Sequence, residues 1–459
     1  MTPSSTSTAS ALDLDVIRRQ VSGQVVAPDD DGYDQARQVM YGDLRPAVVI
    51  RAADVADVQR VVRLAAETGL ELAVRSGGHS GAGHSSTDGG NVLDQRGLTA
   101  IDVDPQAKTA TAQTGLTAAE VNAATGEHGL VIGFGDTGSV GIGGIVTGGG
   151  VGYLVRKYGL TIDNVLAAQV VTADGEVHDV DADHEPDLFW AIRGGGGNFG
   201  VVTRFTFRLH ELPQITGGMI LIPATPESVS GFVNTILDGP EELSGIGNVM
   251  PAPPMPFLPE SVHGKLAIMA IVAYAGTGEA AEAALAPIRA LGEPYADMLA
   301  PIPYAQLFPP DDPNYRPLAV ARNLFTDGID VATAALILKR LEESDAPMRV
   351  AQLRPLGGAE ARVPTDATAY AHRAKPVMVN VAAFYTSDAD KAEKERWVEG
   401  LTRELAPTDH SSYVNFLVDE GAARVRDAYP GTTWDRLVEL KRRYDATNLF
   451  HRNQNIPPA

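Results

Sequence analysis

The stretch Val140-Gly141-Ile142-Gly143-Gly144-Ile145-Val146-Thr147-Gly148-Gly149-Gly150-Val151-Gly152 decides how this chain is read, because seven of its thirteen residues are glycine. Glycine loses more conformational freedom on ordering than any other residue, so such a run points to backbone that must approach something closely. Working outward, 17 of the 47 glycines fall within residues 133–200. Their spacing follows no fixed period, which excludes a solenoid. Two further clusters flank the run. Arg75-Ser76-Gly77-Gly78-His79 ends a strand-like segment, and Gly194-Gly195-Gly196-Gly197-Asn198-Phe199-Gly200 leads into another. Successive glycine peptides expose N–H groups that form anion-binding nests without lysine. That suits a nucleotide cofactor, while tight turns are the plain alternative for any single cluster.

Composition narrows the classes. The 459 residues carry a net charge of −21, 44% hydrophobic residues and no cysteine. The chain can bury a large core across two or three domains. Disulfides, thiolate nucleophiles and cysteine-ligated metals are excluded. The negative charge disfavours nucleic acid and anionic membrane surfaces as partners. Met1 to Ser10 lacks a basic segment followed by an apolar one, so residues 1–10 read as a disordered tail rather than a signal peptide. A cytoplasmic location is the expectation. Gly133-Phe134-Gly135-Asp136-Thr137-Gly138 matches the dinucleotide fingerprint G-x-G-x-x-G. That fingerprint also needs a helix to open there, and the glycines that follow predict none.

The first third alternates short strands and helices. Asp54 is placed to cap a helix that presents Val55, Val58, Val61, Val62 and Ala65 on one face and stops at Gly69. Strands are expected at 71–75, 109–113 and 201–209, and a helix at 118–128. Near Pro213 the character changes. Strand-like runs at 219–222, 265–274, 348–354 and 377–384 alternate with helical runs at 227–237, 279–291, 331–343 and 389–405, and 250–259 reads as a proline-rich loop. The last segment reads as a strand from Tyr413, a helix and an Asn-rich tail.

Five ordered motifs carry a resemblance. Besides 75–79, 140–152 and 187–200, they are Tyr158-Gly159-Leu160 with Asp163-Asn164-Val165, and the ending Asn448-Leu449-Phe450-His451-Arg452-Asn453-Gln454-Asn455-Ile456. On these the chain resembles the FAD-linked oxidases of the vanillyl-alcohol-oxidase superfamily, in particular the berberine-bridge-enzyme-like family, from about Ala47 to Pro457. The resemblance implies an α+β, two-domain PCMH-type FAD-binding fold with an antiparallel-sheet substrate domain. Residues 11–212 and a returning segment 411–459 would bind FAD, and 213–410 would form the substrate domain.

The resemblance further implies that His79 is joined to the flavin 8α-methyl. Arg75, Ser76, Gly77, Gly78, Ser80, His84, Gly115, Gly138, Ser139, Val140, Gly141, Gly143, Gly144, Gly148, Gly149, Gly200, Val202, Asn453 and Asn455 would surround the cofactor. Many relatives add a second link through a cysteine at the position of Thr137, so attachment here should be single, at a looser and more recessed site suited to smaller substrates. The family's aromatic and acid–base positions fall on Gly81, Val151, Phe416 and Asn380.

No Brønsted base stands out among the candidates Asn380, Gln352, Tyr153, Tyr413 and Phe416. Asn380 and Gln352 can orient a hydroxyl but cannot take its proton. As a strand, Tyr413 and Asn415 would face away from Phe416. A buried cationic amine needs a carboxylate partner, and Arg349 and Arg354 on the 348–354 run have the wrong sign. The expected reaction is therefore oxidation of a C–H beside a hydroxyl of a small alcohol, phenolic or secondary metabolite. Small Val140 would leave oxygen access to the flavin, with peroxide released. Amine oxidation, an oxygen-insensitive dehydrogenase and a catalytically silent flavin binder are the alternatives, and the protein is expected to be a monomer or homodimer.

Overall fold

The structure is a computed structural model that describes residues 13–308, 312 and 315–459. The expected tail at 1–10 lies outside the described residues. Local signals set the first elements. The Asp54 carboxylate accepts from the Asp57 amide at 2.9 Å, the helix runs Val55–Thr68, and Gly69 ends it with φ +68°. Val58, Val61, Val62 and Ala65 are buried on one face, as their spacing requires. That helix packs on a four-stranded sheet in the order Gln24–Val26, Val48–Arg51, Asn91–Asp94, Leu72–Arg75, whose last two pairings are parallel. Because Leu72–Arg75 is an edge strand, the chain leaves it straight into Gly77-Gly78-His79.

A five-stranded antiparallel sheet follows, in the order Ile101–Asp104, Thr109–Gln113, Val201–Arg208, Val165–Val171, Val177–Asp181. The glycine-rich run lies against it. The expectation that glycine would prevent a helix after Gly138 is corrected: Ile142–Gly148 is helical. Ile142 and Val146 are fully buried in the main core, so tertiary packing supplies what local propensity withholds.

The middle of the chain forms one antiparallel sheet of eight strands, running through Ile215–Pro223, Leu266–Tyr274, Leu243–Pro251, Arg349–Pro355, Val377–Phe384 and Ala319–Thr326. Helices Pro226–Asp238, Glu279–Arg289, Val331–Glu343 and Asp388–Leu405 cover its apolar face, where Ala351, Leu353, Val377, Val379, Val381 and Ala383 are buried. The opposite face of its last three strands is turned to the glycine loops.

The C-terminal segment differs from its reading. Val414–Phe416 is a turn of 3-10 helix rather than a strand. The chain then returns through Ala422–Asp427 and Thr432–Tyr444 to the glycine loops. There the Asn198 side chain donates to the Gln454 carbonyl at 3.1 Å and accepts from the Ile456 amide at 2.9 Å.

Candidate functional site

The glycine loops and the uncovered sheet face enclose a cavity of about 540 Å³, within the roughly 300–1,000 Å³ usual for small-molecule and cofactor sites. On the loop side, backbone makes the wall. A Cβ at Gly77 would stand 2.2 Å from the Gly141 nitrogen, and one at Gly141 would stand 2.1 Å from the Gly77 nitrogen. The two loops therefore touch through bare main chain. At Gly144, which lines the cavity, a Cβ would meet nothing within 4 Å. His79 lies at the same loop contact, its Nε2 3.0 Å from Ser139 Oγ. Ser76 locks the loops by donating to the Thr114 carbonyl at 2.5 Å and accepting from the Gly143 amide at 3.2 Å.

These features fit a flavin nucleotide. The open face of Gly144 offers flat backbone to a planar ligand. The Asn453 side chain, held by its Nδ2 on the Gly197 and Phe450 carbonyls at 3.0 Å each, leaves a buried Oδ1 with no partner. Buried acceptors are rarely left so, and this one belongs to a residue that lines the cavity.

On the other side, side chains make the wall. Ala319, Ala321, Val350, Ala382 and Phe384 present a small, apolar surface, and Asn380 is its polar group. Register explains the pattern. Asn323, Asn380, Gln352 and Asn248 lie directly opposite one another on four successive strands, forming one polar row. Three members are engaged: Asn323 accepts the Tyr413 amide at 2.5 Å, and Gln352 donates to Asn248 at 2.9 Å while accepting from Arg354 Nε at 2.9 Å. Asn380 Oδ1 is buried without a partner.

The structure brings together His79, Ser76, Gly77, Gly78, Ser80, His84, Val140, Gly141, Gly143, Gly144, Gly200, Val202, Asn453, Asn380, Tyr413 and Phe416, all of which line the cavity. Burial, with the Arg452 charge adding, pushes the His84 imidazole down to about 4. Other candidates act behind the wall. Arg75 is buried against Asp94 at 2.9 Å and buttresses the loop from beneath. Gly115, Gly138, Gly148 and Gly149 are glycine because Gln95, Ala119, Asn415 and Tyr413, respectively, press on them. Asn455 lies off the lining, with a buried, unpartnered Oδ1.

Two expectations about catalytic candidates are corrected. Gln352 is off the lining because both ends of its amide are taken within the polar row. Tyr153 packs with Tyr304 and Phe308 in a separate apolar cluster, its ring 6.0 Å from that of Phe308, and burial raises its phenol well above the usual value. The strand geometry assumed for Tyr413 fails as well. In the 3-10 turn its ring meets Phe416 edge to face at 5.3 Å, and its oxygen accepts from the Gly150 amide at 2.8 Å and from Asn415 Nδ2 at 2.9 Å. That oxygen ties the C-terminal segment to the glycine run.

Of the cavity residues that escaped sequence reasoning, one carries a carboxylate. Asp136 lines the wall beside Thr137, and Arg354 reaches it across 218 positions of sequence. The expectation from the 348–354 run, that its two arginines bring only positive charge to the pocket, is thereby refined. Arg354 pairs with Asp136, and Arg349 turns away to the Leu341 and Ala346 carbonyls at 2.6 and 3.0 Å. No local pattern could reveal a pair so distant; the carboxylate inside the formal G-x-G-x-x-G match was the available signal.

Bare backbone on one side and a wall of side chains on the other make a cavity suited to a cofactor and its substrate, and likeness to known proteins gives the class: an FAD-dependent oxidoreductase. The FAD binding domain model matches residues 46–181, and the berberine and berberine-like model matches residues 412–457. The chain is 30% identical to (R)-6-hydroxynicotine oxidase of Paenarthrobacter nicotinovorans over 95% of its length and 97% of that protein. It is 31% identical to an FAD-linked oxidoreductase of Dictyostelium discoideum over 90% of its length and 89% of that protein. The crystal structure of 6-hydroxy-D-nicotine oxidase from Arthrobacter nicotinovorans superposes with a TM-score of 0.84 at 27% identity, covering 96% of this chain and 98% of that one. The chain belongs to the berberine-bridge-enzyme-like family of FAD-linked oxidoreductases, with the PCMH-type fold of the vanillyl-alcohol-oxidase superfamily. Among the described residues, no helix is long and apolar enough to cross a membrane.

Proposed function

We propose that this enzyme oxidises a C–H next to the hydroxyl of a small, uncharged alcohol, phenolic molecule or secondary metabolite, with FAD joined covalently through His79 alone and oxygen reduced to peroxide. The wall carries the reading. Ala319, Ala321, Val350, Ala382 and Phe384 offer apolar surface, and the unpartnered Asn380 Oδ1 offers a single acceptor to a hydroxyl. FAD supplies the hydride acceptor when bound, held by the loops at 76–80 and 138–144, by Gly200 and Val202, and by Asn453. The domain assignment follows: 11–212 with 411–459 for the cofactor, and 213–410 for the wall.

In this reading Asn380 orients the hydroxyl, and the alanines leave room for a flat molecule while excluding water. Thr137, with a hydroxyl where many relatives carry a thiol, leaves His79 as the sole point of attachment. Val140 keeps the loop side open to oxygen. Amine oxidation is the weaker reading, because the Asp136 carboxylate is already matched by Arg354 and gives a buried cation no net partner.

Acid-denatured holoenzyme should keep yellow, fluorescent flavin on the polypeptide, confined to the peptide that bears His79. A colourless precipitate, or flavin on a second peptide, would refute single covalent attachment. Anaerobic mixing with a panel of benzylic and secondary alcohols should bleach the flavin, and air should then yield peroxide. Bleaching by amines alone would transfer the reading to C–N oxidation. Rapid dye reduction without peroxide would make the enzyme a dehydrogenase.

A further inference from the structure

The reading above leaves the hydroxyl proton without a destination. Asn380 cannot take it, and Tyr413 accepts two hydrogen bonds at its oxygen. Asp136 can. Its Oδ2 is bound by Arg354 Nη2, and Oδ1 has only a long contact, 3.4 Å, from Thr137 Oγ1. The carboxylate is 26% exposed, and its residue lines the cavity that holds His79 and Asn380.

Arg354 is fixed so that it can hold only one oxygen of Asp136. Its Nε donates to Gln352 Oε1 at 2.9 Å, its Nη1 to the Val151 carbonyl at 3.2 Å, and its guanidinium lies 4.7 Å above the Phe416 ring. Gln352 in turn stands directly opposite Asn380 on the neighbouring strand, roughly 4.5–5.5 Å away across the ladder. The amide row of the sheet thus sets Arg354, and Arg354 sets Asp136 on the wall of the cavity that Asn380 also lines. The other titratable groups facing Asp136 are the phenols of Tyr41, Tyr153 and Tyr304, all raised by burial and, less strongly, by the Asp136 charge, so none competes as a base.

We propose that Asp136 is the catalytic proton acceptor of this enzyme, with Arg354 as its positioning residue. The inference rests on the alcohol-oxidation reading. The balance is simple: the alcohol C–H bond gives its electron pair and hydrogen to oxidised FAD, the O–H proton passes to Asp136 Oδ1, and a C=O bond forms. FAD would pass the two electrons and the hydrogen of that hydride to oxygen, and the proton released again from Asp136 would complete hydrogen peroxide and restore the carboxylate. A carboxylate suffices as the acceptor here. As hydride departs, the alcohol oxygen becomes that of a protonated carbonyl, a far stronger acid than any carboxylic acid.

Two measurements on the full-length holoenzyme test this. The first uses sulfite, which adds to oxidised flavin and needs no substrate. Removing a negative charge near the flavin in Asp136→Asn should tighten sulfite binding by roughly tenfold, and Arg354→Met, which leaves that charge unbalanced, should weaken it by a similar factor. Unchanged sulfite affinity in both variants overturns the proposal, because the pair would then lie away from the flavin. The second uses any alcohol that bleaches the wild-type flavin. Asp136→Asn should slow flavin reduction by roughly 100-fold or more with little change in alcohol dissociation constant, and Asp136→Glu should restore part of the rate. A loss in binding with the reduction rate intact would make the pair a structural tie and overturn the catalytic role. If no alcohol bleaches the wild type, the alcohol reading fails, while the sulfite titration still decides whether Asp136 is a charge beside the cofactor.

Discussion

The two walls of the cavity are made of different material. The loop side is main chain brought into contact with main chain: Gly77 meets Gly141 with no side chain between them. The sheet side is a set of side chains standing on a rigid ladder, where Asn380 and its neighbours are placed by strand register. A backbone wall holds a planar cofactor through groups that every residue type carries, so it constrains sequence by size. A side-chain wall can be rewritten residue by residue without moving its frame. The difference teaches that cofactor identity is a property of where glycine is obligatory, and substrate identity a property of which side chains alternate out of the sheet.

The comparison can be broken most severely at Gly141. Gly141→Ala puts a methyl about 2 Å from the Gly77 nitrogen, so the loops must separate. Overpacking of this kind costs about 1–3 kcal/mol or more. A protein with little bound flavin and a lowered Tm is expected, read by the flavin-to-protein absorbance ratio and by thermal unfolding. Gly144→Ala is the control within the same wall. Its methyl meets open space, and alanine in a helix gains about 1 kcal/mol over glycine, so Tm should hold or rise while flavin content falls.

On the sheet side, Asn380→Ala should leave flavin content and Tm unchanged but lower kcat/KM for the alcohol by roughly 10–100-fold, the loss of one buried hydrogen bond worth about 1–3 kcal/mol. Loss of flavin in this variant would show that the two walls are not separable.

Acid should act on both sides. The imidazoles of His84 in the cavity, His210 beside Asn164, and His372, stacked at 4.8 Å on Phe325, are each pushed by burial to about 4. The unfolded chain, with histidine near 6.5, binds more protons between these values. Stability should therefore be full above about pH 6.5 and fall as pH drops towards 4, by on the order of 1–3 kcal/mol per group. Denaturant unfolding across that range measures it, and His84→Gln should remove one share of the slope.

The smallest effect is expected far from both walls. Asp54→Ala removes the N-cap of Val55–Thr68 at a cost of about 1 kcal/mol, with flavin spectrum and turnover unchanged.

Much of the frame was legible because its signals are local. The Asp54 cap, the valine spacing and the Gly69 stop lie within one helix, and Val377–Phe384 is a continuous run rich in valine that can be read to the residue. Strands Leu243–Pro251 and Ala319–Thr326 were not read. Gly245, Gly247 and Asn248 interrupt the first, and the second mixes small and polar residues because one of its faces lines a cavity. Tyr413 was read as part of a strand, yet Asn323, far away in sequence, accepts its amide hydrogen bond and helps hold the 3-10 turn.

By itself, then, the sequence determined where backbone must come close. Glycine is required by steric contact of the loops, and the glycine clusters announce themselves in order along the chain. Tertiary structure alone decided which side chains meet. Asp136 and Arg354 are joined across 218 positions, and Tyr413 and Gly150 across 263. The physical reason is the range of the interactions. Entropy and sterics act residue by residue and leave their mark in local composition, whereas a hydrogen bond or an ion pair forms only when folding brings two distant atoms within about 3 Å.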